Sequence, residues 1–137
     1  MLYINNLFCE HYMNITLLII DQDNPFRNNL IGRLHHENYK ILLAVRQEDI
    51  KQILDKEDID VVLLNLDKTN REGLMILKQI KTESPLTEII IINSSKHIAL
   101  SIEGMKLGAF DDFFLPFDVE SLIQRIKDAF LHKLSKK

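Results

Sequence analysis

The sequence predicts an α/β fold in which five parallel strands form one doubly wound sheet with helices on both faces. Two short runs, residues 61–64 and 89–92, are aliphatic throughout and end in polar residues. Unbroken aliphatic runs of this length are typical of strands buried on both faces of a parallel sheet. Stretches with apolar residues at helical spacing lie between the strand-like runs. This alternation indicates strands joined by right-handed helical crossovers.

The first half of the chain is predicted to contain three strands and two helices. Residues 15–20 are aliphatic or β-branched and stop at a polar turn, 21–23, which predicts the first strand. Asn24 followed by Pro25 is typical of a helix start, with Asn as the N-cap and Pro at the first helical position, and predicts a helix near 25–37. The later elements are a strand at 39–45, a helix near 47–56 and a strand at 61–65.

The second half is predicted to contain two more strands, each flanked by helices. Thr69 or Asn70 is expected to cap the third helix, Gly108 to end the fourth and Asp118 to cap the fifth. The elements are a helix carrying Leu74, Leu77 and Ile80, a strand at 89–92, a helix near 97–107, a strand at 111–115 and a last helix using Leu122, Ile123, Ile126, Ala129 and Phe130.

Five strands alternating with five helices predict a flavodoxin-like (βα)5 domain at residues 15–131. Residues 1–14 are interpreted as an N-terminal extension, and both Met1 and Met13 fit the start of the protein. Residues 132–137 are interpreted as a short basic C-terminal tail, the solvated end of a helix whose dipole favours positive charge.

The composition is that of an ordinary globular chain, since 46% of its 137 residues are hydrophobic and 27% are charged. The formal net charge of −3 gives no basic field to attract nucleic acid or an anionic membrane. No apolar run reaches the roughly 18 residues of a membrane span. Cys9 is the single cysteine, so an intramolecular disulfide is excluded and a reducing, cytoplasmic location is expected.

Polar residues end several of the predicted strands, and the carboxyl ends of parallel strands meet at one edge of a sheet, where α/β sites form. Asp21, Asn65 and Asn93 end three strands, and Leu115-Pro116 ends the fifth, at spacings of 44, 28 and 22 residues. Further matches to one known pattern are Arg27, Gly73, Gly108-Ala109 and Phe117-Asp118. With these residues in this order, residues 15–131 resemble the response-regulator receiver domain, the phosphoacceptor module of bacterial two-component signalling.

The resemblance implies that the phosphoryl-transfer chemistry has been lost at the strand ends. The family phosphorylates an aspartate at the position of Asn65, and an amide is too poor a nucleophile to replace a carboxylate. The family holds Mg²⁺ with two acids after the first strand, where this sequence has Asp21 and Gln22. Phosphoryl transfer relies on metal ions and cationic groups to neutralise charge. We therefore expect a fold that is stable without metal and a protein that is not an enzyme.

The resemblance also implies changes in the residues that respond to a phosphoryl group. A Thr or Ser of the family corresponds to Asn93, although Ser94 keeps a hydroxyl nearby. The family's lysine corresponds to Leu115, and its aromatic switch residue corresponds to Asp112. We therefore interpret the chain as a degenerate receiver, or pseudo-receiver, that acts by protein contact without aspartyl phosphorylation. The Leu115-Pro116 bond is a cis candidate by the same resemblance.

Two alternative functions stay open: a receiver phosphorylated on another acceptor such as Asp67, and a flavodoxin-like protein that binds a small ligand. The turn after the first strand, Asp-Gln-Asp-Asn-Pro, lacks the Gly/Ser/Thr-rich cradle that would hold a nucleotide or flavin phosphate. No cofactor is expected beyond weak Mg²⁺ binding by Asp21 and Asp67, because hard cations prefer more oxygen ligands than two carboxylates supply. Local capping of turn N–H groups is the other interpretation of these aspartates.

The resemblance implies that partners bind the face made by the fourth helix, the fifth strand and the fifth helix. The partner is expected to be a protein, such as a histidine kinase or an effector, or a second copy of the chain in a homodimer. Direct contact with nucleic acid is not expected. In this sequence the face would include Ile98, Ile102, Met105, Asp112 and Lys127.

Overall fold

The computed structural model describes residues 14–137, so the expectations about the N-terminal extension and the start at Met1 or Met13 lie outside the described residues. A single helical turn, Leu66–Thr69, leads from the third strand to the third helix, and a 3-10 turn, Ser95–His97, precedes the fourth helix. The main elements are β1 (Ile15–Ile20), α1 (Pro25–Leu34), β2 (Tyr39–Ala44), α2 (Gln47–Lys56), β3 (Val61–Asn65), α3 (Arg71–Glu83), β4 (Glu88–Asn93), α4 (Ile98–Lys106), β5 (Asp111–Phe114) and α5 (Val119–Ser135).

The sheet confirms the predicted fold class. Its five strands run parallel in the order β2-β1-β3-β4-β5, and β3 is central. Leu63 of β3 lies beside Ile19 of β1 and Ile90 of β4. Because the three central strands run in the same direction, their carboxyl ends, with the polar residues that follow, meet at one edge, which we call the carboxyl edge.

The core has two layers, one on each face of the sheet, and β3 contributes alternate residues to both. Val62 and Leu64 pack on the face covered by α2, α3 and α4, whereas Val61 and Leu63 pack on the face covered by α1 and α5. All four side chains are buried. Burial on both faces is the physical reason why this strand shows no alternation of apolar and polar residues.

The predicted caps lie at the expected residues, although the third helix has no side-chain capping bond. The Asn24 side chain accepts a hydrogen bond from the Arg27 N–H at 2.8 Å, Asp118 accepts from the Ser121 N–H, and Gly108 follows α4 with a φ of 109°. Asn70 stands at the start of α3, but its side chain makes no capping bond. The Thr69 hydroxyl donates to the Asn65 carbonyl instead, at 2.9 Å.

Three predicted elements extend too far toward the C-terminus. α1 ends at Leu34 rather than near 37, because the chain turns at His35 to enter β2. β2 ends at Ala44 and β5 at Phe114, one residue earlier in each case. None of the helices between residues 14 and 137 has the length and apolarity that a membrane span requires.

The C-terminal end of α5 differs most from its sequence-based expectation. The helix continues through Ser135, and Lys133, expected in a solvated tail, is only 2% exposed. Its ammonium donates to Asp58 Oδ1 at 2.9 Å, to Asp60 Oδ1 at 2.8 Å and to the Ile59 carbonyl at 3.2 Å. The expectation of a wholly solvated end is therefore wrong at Lys133, because two acids before β3 compensate the buried cation.

A second buried acid holds the same end of α5. Glu88, at the start of β4, is 3% exposed and pairs with His132, with Lys136 at 3.0 Å and with Lys81 at 3.5 Å. Burial favours the neutral carboxyl, but the hydrogen bonds from His132 and Lys136 outweigh it, and the pKa of Glu88 is lowered. We call Asp58, Asp60, Glu88, Lys133 and Lys136 the basal cluster; it fixes α5 at the edge of the sheet opposite the carboxyl edge.

Candidate functional site

The carboxyl edge brings together the polar residues that the sequence singled out. Asp21 follows β1, Asn65 ends β3 and Asn93 ends β4, and the three residues are only 3%, 2% and 0% exposed. Polar groups this deeply buried require hydrogen-bond partners. The hydrogen bonds of these three residues define the geometry of the site.

Asn65 bonds directly to Asp21. The Asn65 amide Nδ2 donates to Asp21 Oδ2 at 2.9 Å, and Asp21 Oδ1 accepts from the Gln22 backbone N–H at 2.7 Å and from Asn24 Nδ2 at 3.1 Å. Both oxygens of the buried carboxylate are therefore stabilised by neutral N–H donors of the chain itself. Gln22 is exposed and contributes its backbone rather than a carboxylate.

The second polar atom of the Asn65 side chain is unsatisfied. Its Oδ1 is buried and has no hydrogen-bond partner among residues 14–137. An aspartate at this position would keep an acceptor there and would replace the donating amide with a second acceptor facing Asp21. The surroundings of Asn65 thus suit an amide and disfavour a carboxylate.

The Asp67 carboxylate contacts side chains that follow β4. The Ser94 hydroxyl donates to Asp67 Oδ1 at 2.5 Å, and His97 Nε2 lies 3.7 Å from the same oxygen. The Asp67 side chain is 21% exposed. Sequence reasoning noted Ser94 only as a nearby hydroxyl and missed its pairing with Asp67, because these residues are 27 positions apart.

Asn93 joins the end of β4 to α4. Its Nδ2 donates to the His97 carbonyl at 2.7 Å and to the Ser101 hydroxyl at 2.9 Å, and its Oδ1 accepts from the Ser94 N–H at 2.9 Å. Ser101, 1% exposed, is a site residue that the sequence analysis missed. Its position in the buried stripe of α4, beside Leu100 and Gly104, is the signal that would have revealed it.

Leu115 places an apolar side chain beside the site. Its N–H donates to the Asn93 carbonyl at 2.8 Å, which fixes it next to the end of β4, and the Leu115-Pro116 bond is cis, as the resemblance implied. An open apolar cavity of about 410 Å³ lies here, lined by Phe26, Leu115, Pro116, Phe117 and Val119. No cationic side chain is among the residues that line this cavity, and the Leu115 side chain has no charge to pair with an anion.

Among the described residues, 14–137, no group of three or more His, Cys, Asp or Glu side chains is arranged to hold a metal ion. The two aspartates considered for weak Mg²⁺ binding make separate hydrogen bonds, Asp21 with Asn65 and Asp67 with Ser94. The described residues at the carboxyl edge therefore form a hydrogen-bonded polar cluster.

Comparison with known proteins settles the family. The family model described as the response regulator receiver domain matches residues 17–127. The chain belongs to the response-regulator receiver family. Its receiver fold is also seen in the signal receiver domain of an HD domain-containing protein from Pseudomonas fluorescens Pf-5, with a TM-score of 0.81 at 20% identity over 89% of this chain and 90% of that one.

Curated relatives extend well beyond this receiver in length. A putative NtrX-like response regulator of Rickettsia bellii is 30% identical over 117 residues, 84% of this chain and 24% of that protein. The transcriptional regulatory protein ZraR of Escherichia coli K12 is 25% identical over 87% of this chain and 27% of that protein. This receiver therefore spans about a quarter of the length of these two relatives.

The face of the receiver formed by α4, β5 and α5 carries exposed apolar side chains. Ile98, Ile102 and Met105 are 51%, 52% and 38% exposed and follow one another along one stripe of α4, at i, i+4 and i+7. Asp112 lies half-buried in β5, and burial together with the nearby Asp111 charge raises the pKa of its carboxyl. Lys127 lies half-buried on α5.

Proposed function

We propose that this receiver signals by protein contact and is not phosphorylated at position 65. The hydrogen bond from Asn65 to Asp21 is the observation that carries the proposal. It puts a neutral donor beside a single carboxylate, whose two oxygens both accept N–H bonds, where a pair of carboxylates would need a cation between them.

The other contacts at the carboxyl edge support the same proposal. Catalysis of phosphoryl transfer consists of positioning and of neutralising charge with metal ions and cations. Here the nucleophile position is Asn65, one acid position is the exposed Gln22, and Leu115 stands at the position of the cation. Three components of the reaction are changed together, so a single reverting mutation is not expected to restore it.

The exposed apolar stripe of α4 indicates where a partner protein binds, on the face that we call the docking face. Ile98, Ile102 and Met105 expose apolar surface. Asp112 of β5 and Lys127 of α5 would add charged groups, and such a mixture suits a protein interface. We propose that a histidine kinase or an effector protein binds this face, or that a second copy binds there as a homodimer. The proposal includes a cytoplasmic location, by analogy with the family's role.

Affinity purification with variants tests the docking face. Tagged wild type, Ile102→Glu and Lys56→Glu are compared with and without a small phosphodonor, and the recovered kinases and effectors are measured by mass spectrometry. We expect recovery that is unchanged by the phosphodonor, reduced at least about tenfold by Ile102→Glu, and unchanged by Lys56→Glu on the distant α2. Recovery of these partners only after phosphodonor treatment would contradict the proposal, and Asn65→Asp shows whether the site still controls binding.

A further inference from the structure

A groove between α3 and α4 lies outside both the carboxyl edge and the docking face. It consists of two depressions in a row, of about 430 Å³ and about 310 Å³. Both depressions are lined by Met75 and Lys78, which therefore join them into one continuous groove along α3. The first is closed on its other side by Lys106 and Leu107 at the end of α4.

The floor of the groove is apolar and unusually exposed. Met75 is 59% exposed and Leu107 is 37% exposed, with the buried Leu74 beneath them. The groove follows α3 from Arg71 to Glu83, about three and a half helical turns or roughly 20 Å. A floor of this length and flexibility matches the apolar stripe of one short helix, and methionine is a side chain that adapts well to such a partner.

The charges beside the first depression are mainly positive, and Glu83, which lines the second, pairs with Lys51 of α2 at 3.8 Å. Lys78 and Lys106 are exposed, and neither makes an ion pair with another residue between 14 and 137. Arg71 pairs with Glu103 across the groove at 2.8 Å, but ion pairs this exposed are weak and exchange readily. The first depression thus presents three cations and one anion, on a chain whose formal net charge is −3. A partner with negative charge complements this local excess.

We propose that the α3–α4 groove binds an acidic amphipathic helix of a partner protein. Apolar side chains of that helix at i, i+3 or i+4, and i+7 cover Met75 and Leu107, and its Glu or Asp side chains pair with Lys78 and Lys106. Leu107 lies about 140° around α4 from Ile102, and Ile98, Ile102 and Met105 do not line the groove. Lys106, four residues after Ile102, lies where the two surfaces meet, so the groove adjoins the docking face but has its own apolar floor of Met75 and Leu107.

Two stapled helical peptides of about three turns test the proposal. They carry identical Leu and Met anchors, and one has Glu and the other Lys at the flanking positions. Binding to the full chain is measured by NMR titration. We expect the Glu peptide to shift the signals of Met75 and Leu107, and to bind wild type at least about tenfold more tightly than the Lys peptide does. Lys78→Glu with Lys106→Glu is expected to reverse this preference, whereas the control Lys56→Glu changes affinity by less than about twofold.

Several results would overturn the proposal. They are a Glu peptide that does not bind, one that binds no more tightly than the Lys peptide, and one that shifts signals of the docking face instead. Thermal melts of each variant establish that it is folded before binding is compared. Sedimentation of the chain alone is a further measurement. If the wild type forms a dimer and the double variant Lys78→Glu with Lys106→Glu does not, the groove binds a second copy of the chain, and the proposal of a partner helix is wrong.

Discussion

Asn65→Asp is expected to lower the free energy of unfolding by about 2–4 kcal/mol at neutral pH without divalent metal. The wild-type amide donates a hydrogen bond to buried Asp21 at 2.9 Å, and the variant replaces that donor with a second carboxylate. Losing a hydrogen bond to a charged group costs about 1.5–3 kcal/mol. Repulsion between two like charges about 4 Å apart contributes a further cost of at most about 4 kcal/mol at an effective dielectric of 20. Partial protonation and rearrangement reduce this cost. Urea denaturation measures the difference.

The pH dependence of this variant identifies the cause. Because the charge of Asp21 opposes ionisation of a second acid, the folded-state pKa of the introduced carboxyl is expected to lie above its unfolded value of about 3.9. The destabilisation should therefore be complete above the folded-state pKa and diminish as the pH falls through it. Asn29→Asp, at an exposed position of α1, is the matched control and should change the free energy of unfolding by less than about 0.5 kcal/mol.

Magnesium separates the variant from the wild type. Millimolar Mg²⁺ should recover part of the stability of Asn65→Asp, since a cation between two carboxylates removes their repulsion. It should leave the melting temperature of the wild type nearly unchanged, since Asp21 already accepts bonds from Asn65, Gln22 and Asn24. A rise of several degrees for the wild type would show that a cation belongs to the native site.

Lys133→Met is expected to destabilise the chain by about 3–5 kcal/mol, because it removes one partner from a buried ion pair. The variant leaves Asp60, whose side chain is 12% exposed, without its cation. Methionine keeps the apolar stem of the lysine, so the loss measures the charge rather than packing. Lys56→Met, on the exposed end of α2, should have little effect. A loss below about 1 kcal/mol for Lys133→Met would show that the basal cluster does not hold α5 in place.

A double variant and a pH series test the same contact. Lys133→Met with Asp60→Asn should be more stable than Lys133→Met alone, since the uncompensated charge is gone. Burial works against the ammonium, but the hydrogen bonds and charges of Asp60 and Asp58 outweigh it and raise the pKa of Lys133 above its ordinary 10.5. The advantage of wild type over Lys133→Met should therefore persist up to about pH 10.5 and decline as the pH rises through the raised pKa.

The order of strands and helices could be predicted from the sequence because local signals agree with the tertiary structure. The run before Asn65 is apolar on every residue because both faces of β3 are covered, and Asn24 and Pro25 mark the start of α1. Parallel topology then places Asp21, Asn65 and Asn93 at one edge. The position of the candidate site therefore follows from the strand ends, although its individual bonds do not.

The contacts that were missed join residues far apart in the chain. Lys133 looks like part of a basic tail until Asp58 and Asp60, more than 70 positions earlier, are brought beside it. The bond between Ser94 and Asp67 has the same character. Neither contact has a local pattern, because only the folded chain brings the donor and the acceptor within hydrogen-bond distance.

Intact mass measurement after incubation with a small phosphodonor and Mg²⁺ shows whether any carboxylate of this receiver accepts a phosphoryl group. A receiver that carries aspartate at the position of Asn65 serves as the positive control under the same conditions. We expect the wild-type chain to gain no phosphate, since the Asn65 amide donates to Asp21 and is not a nucleophile. A stable gain of one phosphate, located by fragmentation on Asp67 or on any other carboxylate, would contradict it.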